Sequence, residues 1–182
     1  MTRRPAWPLT VAAMADRQRF WPIQMLCVAF DGSHFKGEIL PELDRLKAAG
    51  TVRVIDLLVV RKDAEGRVMV MTATDLDFED ATAFGAYVGT LVGFGAAGAE
   101  GADRGAIAGA AELADGHFFD EDDVFRVTQT LPNDMSVALL LLEHLWVGPL
   151  LEAVERADGI ELENEWFDPV RLVRAGIDMP AE

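Results

Sequence analysis

The sequence predicts an α+β fold, and three observations predict it. Apolar runs of strand length bracket an amphipathic segment of helix length twice, at 22–72 and again at 136–167. A stretch of different character, 76–134, separates the two and carries glycine at four-residue spacing. Long helices are too few for a doubly wound sheet, and no G-x-G-x-x-G follows a strand. Two β-α-β units joined in this way imply right-handed crossovers and an antiparallel sheet with helices on one face. That is the ferredoxin-like arrangement, here with a glycine-rich helical insert.

The elements follow in order. Pro22–Phe30 is short, mostly apolar and closed by Asp31-Gly32-Ser33, which reads as a buried strand. It holds Cys27, expected to be a small core residue with an inert thiol. A helix is predicted over 37–49, with Ile39, Leu43 and Leu46 on one face and Leu40 alongside. Pro41 suits its first turn and Gly50 its stop. Val52–Val60 is the next strand, interrupted by Asp56, whose expected partner is Arg53, Arg61 or a backbone group. Asp63-Ala64-Glu65-Gly66 then makes a hairpin connection into Arg67–Thr72.

The second unit opens with Ser136–Leu142, the most apolar strand in the chain. A helix over 145–156 presents Trp146, Leu150 and Val154 on one face and ends at Asp158-Gly159. Residues 160–167 alternate apolar and acidic side chains, as an edge strand with one wet face does, and a short helix is predicted from Pro169 to Ala175. The domain is thus expected to span 22–175. Residues 1–21 are read as an unstructured extension and 176–182 as a tail. The run Pro5–Ala15 has the outline of a secretory signal, but its prolines and the arginines Arg17 and Arg19 right after it favour a cytoplasmic protein, and Met14 is a second possible start.

Within the insert, Gly85, Gly89, Gly93, Gly101, Gly105 and Gly109 fall in one register, with Ala97 at the missing position, and 81–99 carries no charge. Such spacing lines one stripe of a helix with small side chains, where another backbone can approach closely. Six interior glycines oppose helix formation by about 5–6 kcal/mol relative to alanine, so close packing must offset them. Three readings stand: a helical hairpin or oligomer interface, a mobile loop, or a membrane-associated segment at 81–99. A chain break is expected near 95–101, where Gly95 and Gly98 leave the register.

Composition narrows the function classes. Half of the residues are apolar (51%), too many for a disordered chain, while a net charge of −15 opposes electrostatic nucleic-acid binding. The charge is uneven: 1–21 carries +3, 22–75 carries −1, 76–134 carries −10 and 135–182 carries −7. One cysteine makes neither an intrachain disulfide nor a cysteine-based zinc site. The acidic run Asp120–Asp123 fails the calcium-loop pattern, because its twelfth position is Leu131, and reads instead as a helix cap. Asp56, Glu143 and His144 are the pocket candidates: an acid inside a strand, and a carboxylate beside an imidazole at a strand end. No residue set is assigned to catalysis, to a cofactor or to a metal.

Several strings together resemble an uncharacterised bacterial family, a domain of unknown function. They are Phe35-Lys36-Gly37-Glu38-Ile39 with Pro41, Gly50 through Leu57, Val60 through Asp63, Glu121-Asp122-Asp123, and Ser136 through Glu143 with Trp146. The resemblance covers roughly 22–170. It implies a ferredoxin-like fold with a glycine-zipper-type central insert, and it supplies no activity and no catalytic residues. The expected function is therefore non-enzymatic: self-association, or binding of a protein partner, through the glycine stripe. A small-molecule site or enzyme centred on Glu143 and His144, and membrane association through 81–99, are the alternatives.

Overall fold

A computed structural model describes residues 20–32 and 37–159. Among them are four strands and four helices: β1 (Ile23–Asp31), α1 (Ile39–Ala48), β2 (Arg53–Lys62), β3 (Val68–Ala73), α2 (Phe78–Glu112), α3 (Glu121–Thr130), β4 (Met135–Glu143) and α4 (Val147–Arg156). The fold is mixed α+β. Its one sheet runs in the order β1-β4-β2-β3, with every neighbouring pair antiparallel.

Local chemistry places the boundaries. Gly50 has φ +63°, and the bonds Gly50 N–H to Lys47 O and Thr51 N–H to Leu46 O close α1 in a left-handed stop that only glycine adopts without strain. The turn between β2 and β3 is organised by Asp63, whose carboxylate accepts the N–H groups of Glu65 and Arg67. Asp120 and Asp123 form a capping box at the start of α3. Lys62 closes the other end of that helix, donating from Nζ to the carbonyls of Thr128 and Leu131.

Helices cover both faces of the sheet, not one as the sequence suggests. On one face Leu43 and Leu46 of α1 pack on Val52, Val54, Leu57 and Leu142. On the other, Phe84, Leu113, Phe119 and Leu131 pack on Ile55, Leu58, Val60 and Leu141. The reason lies in β2 and β4, whose successive residues are apolar in both directions, so each face needs a cover. The insert is the second cover. Ile39 and Leu40, assigned to the buried face of α1, are exposed instead.

β1 is also corrected. Among the described residues it is an edge strand, with Met25, Leu26 and Cys27 exposed, because the helices sit over β2 and β4. The inert core cysteine expected there is a surface thiol. α4 falls almost wholly in a second compact unit, residues 148–182. Its stop uses Asp158 at φ +58° with Gly159 N–H bonded to Val154 O. The strand expected at 160–167, the helix at 169–175, the tail and residues 1–19 of the extension expected at 1–21 lie outside the described residues; Phe20 and Trp21, read as its end, instead belong to the fold, Phe20 in the core and Trp21 bonded to Glu143.

Candidate interaction site

The insert begins where Asp77 caps α2 by accepting the Asp80 N–H. Glu79 and Asp80 in its first turn complement the helix dipole. The helix breaks at Ala97 and Gly98, the latter at φ +62°, and returns as a second arm. The two arms run antiparallel, and the glycines meet in pairs: Gly85 with Gly109, Gly89 with Gly105, Gly93 with Gly101. A Cβ on any of the six would collide with the facing carbonyl; on Gly89 it would stand 2.7 Å from the Gly105 carbonyl carbon as well as overlapping its oxygen.

That geometry accounts for the glycine cost. Each glycine presents a Cα–H where the Cβ would be, aimed at the facing carbonyl oxygen. Six such contacts at about 0.5–1 kcal/mol each contribute roughly 3–6 kcal/mol. The helix-propensity cost of six glycines is about 5–6 kcal/mol, so the two terms nearly cancel. The stripe is therefore engaged within the chain, and a second molecule could use it only by parting the arms.

The outward sides of the hairpin are apolar and open. Leu91 is 46% exposed, Val92 68%, Phe94 40% and Ile107 75%. A groove of about 780 Å³ runs beside the paired glycines, lined also by Val88, Val92, His117 and Phe118. The base of the hairpin is held by aromatic packing. Phe84 meets Phe20 edge-on at 5.1 Å between ring centroids, and Tyr87 lies 5.8 Å from the same ring.

Two buried carboxylates fasten this base to the sheet. A bulge between Val54 and Asp56 shifts the register of β2 against β4. Asp56 is fully buried, and its oxygens accept the N–H groups of Leu57 (2.9 Å), Phe118 (2.7 Å) and Phe119 (2.8 Å), while His117 Nδ1 lies 3.0 Å away. Its partners are backbone amides and an imidazole, not Arg53 or Arg61. Glu143, equally buried, accepts from Trp21 N–H and from Arg53 Nε and Nη2, each at 2.8 Å. Arg53 also donates from Nη1 to Asp80 in the first turn of α2 and lies over the Phe20 ring.

The three pocket candidates therefore serve separate attachments. Asp56 clamps the segment after α2, Glu143 holds Arg53, and His144 has Nε2 3.2 Å from Gln24 Oε1. Burial holds the His144 imidazole below the usual histidine pKa. The sequence gives His117 and the Phe118–Phe119 amides no role, His117 being far from His144 along the chain. The one local signal was His-Phe-Phe directly after Asp115-Gly116, a turn capable of presenting consecutive N–H groups. Among the described residues, no group of three or more His, Cys, Asp or Glu side chains is placed to hold a metal ion. Comparison of the chain with family models, with curated proteins and with solved structures finds no match.

Proposed function

We propose that this chain is a non-enzymatic interaction protein that binds a protein partner through the outer side of its glycine-paired hairpin. The observation that carries the reading is the exposure of Leu91, Val92, Phe94 and Ile107 on a scaffold braced from within. Large apolar side chains exposed on a helical hairpin favour an apolar partner. The remainder of the chain serves as a mount, and we read it as ferredoxin-like. The order β1-β4-β2, with β1 and β2 parallel on either side of β4, supports that arrangement, β3 being an added edge. The resemblance to the uncharacterised bacterial family belongs to the same proposal and adds no chemistry to it.

A test places a photo-crosslinking residue at Val92 or at Ile107, with Glu100 as a charged control, in cells that make the protein. One discrete adduct at 92 and 107, lost when Phe94→Glu is added, is the expected result. Adducts no stronger than at Glu100 would sink the reading. A membrane reading is favoured by one observation: α2 is long and apolar enough to cross a bilayer and is largely exposed. Against it, Glu100, Asp103 and Arg104 stand on the return arm just past the break and would have to enter hydrocarbon. Co-sedimentation with liposomes would move the conclusion to the membrane.

A further inference from the structure

We propose that the groove beside the paired glycines is the docking site of the chain's own N-terminal segment, residues 1–19. Phe20, which follows that segment directly, is fully buried in one cluster with Phe84 and Leu113. Phe84 in turn lies 6.1 Å from the Phe118 ring, and Leu113 and Phe118 both line the groove. The segment therefore joins the fold beside the Leu113–Phe118 end of the groove. From there the groove follows the hairpin toward its turn, past Gly85, Gly89 and Gly93 to Ala97. That path is about 18 Å long at the helical rise of about 1.5 Å per residue. Nineteen residues cover it even at the same short rise, which gives about 28 Å.

Charge selects this occupant. Glu112, Asp115, Asp120 and Asp123 line the groove against Arg104, a net −3. Asp120 and Asp123 are engaged in the capping box, and Asp123 also holds Arg126. Glu112, by contrast, forms no ion pair among the described residues, and Asp115 uses one oxygen on the His117 N–H. In a chain of −15, residues 1–19 hold Arg3, Arg4, Arg17 and Arg19 against Asp16, a net +3. Arg19 adjoins Phe20 just as Glu112 adjoins Leu113, so the shared cluster brings cation and carboxylate to the same end of the groove. Between the arginines, residues 5–15 carry no charge and suit walls of Val88, Val92, Ala96 and Ala108. The stretch 160–182 has six acids against Arg171 and Arg174, a net −4, and the same groove repels it. Tethering adds to the match: a segment anchored at Phe20 meets the groove at an effective concentration on the order of mM, so contacts too weak to hold a free peptide suffice.

This occupancy does not depend on a protein partner for the hairpin: Leu91, Phe94 and Ile107 lie outside the groove, and only Val92 is common to both surfaces. A nitroxide on the full chain at position 10, from Thr10→Cys in a Cys27→Ala background, tests it by paramagnetic broadening. The Val88, Val92 and Ala96 amide signals should be lost, while those of α1, on the opposite face of the sheet, persist and show the fold to be intact. Glu112→Lys and Arg19→Glu should each cut the broadening at least twofold, and the two together should bring it back. Should Arg19→Glu disturb the fold, Arg17→Glu takes its place. Full intensity at the three amides, or broadening that neither reversal changes, would overturn the proposal. So would broadening of an unlabelled, isotope-enriched chain mixed with labelled chains, because the occupant would then come from a second copy.

Discussion

Gly89 and Gly95 lie six residues apart in one helix, yet alanine should act on them with opposite sign. At Gly95 an added Cβ meets nothing within 4 Å, so only helix propensity acts and Gly95→Ala should stabilise by about 0.8–1 kcal/mol. At Gly89 the same methyl would stand 2.7 Å from the Gly105 carbonyl carbon and 3.2 Å from the Gly109 Cα. Ordinary carbon–carbon contact is about 3.5–4.0 Å, so the arms must part by roughly 1 Å. A gap of that size forfeits about a quarter to a half of each contact well along the seam, and overpacking of this kind costs about 1–3 kcal/mol. Subtracting the propensity gain leaves Gly89→Ala destabilised by up to about 2 kcal/mol. Urea unfolding followed by far-UV circular dichroism measures both variants on one scale. A Gly89→Ala protein as stable as Gly95→Ala would refute the packing of the arms on each other.

Asp56→Asn should be more damaging than its size suggests. Four donors converge on the carboxylate, and an amide offers one oxygen and a clashing NH₂. A loss of about 2 kcal/mol or more is expected, with faster hydrogen exchange at the Phe118 and Phe119 amides; unchanged exchange there would count against the clamp. His144 should titrate below an ordinary histidine, because burial disfavours its charged form. Its folded pKa lies below the unfolded one, so its share of stability is complete above the unfolded value and fades as pH falls through the folded value. An NMR titration of its ring protons reads the midpoint, and a value at or above the ordinary one would contradict the burial argument.

Much of the secondary structure was legible because its causes are local. The helix stop at Gly50, the cap at Asp120, the turn at Asp63–Gly66 and the end at Asp158 depend on a few neighbouring residues, and all lie where the sequence puts them. The candidate site was legible only in part. Asp56 stands out as an acid in an apolar strand, but apart from the adjacent Leu57 amide its partners lie 61 to 63 residues away, beyond any local pattern. Glu143 was noticed for the histidine beside it, whereas its partner is Arg53, its neighbour across the sheet. Periodicity predicts Ile39 and Leu40 buried and an apolar run predicts the same of Cys27, but neither can say whether a face has a cover.

The glycine register marks the division most clearly. By itself the sequence determined that a backbone must approach this helix closely, because six glycines without compensating contact would not remain helical. It also set a break near 95–101, where Gly95 and Gly98 leave the register, and Ala97 and Gly98 there leave helical geometry. Only the tertiary structure decided which backbone approaches. The break turns the chain so that Gly85, Gly89 and Gly93 face Gly109, Gly105 and Gly101, and the stripe is engaged by its own second half. Sheet order and the covering of both faces were settled at the same level. Spacing along a chain reports what a surface requires, whereas the identity of its partner depends on contacts between segments far apart in sequence.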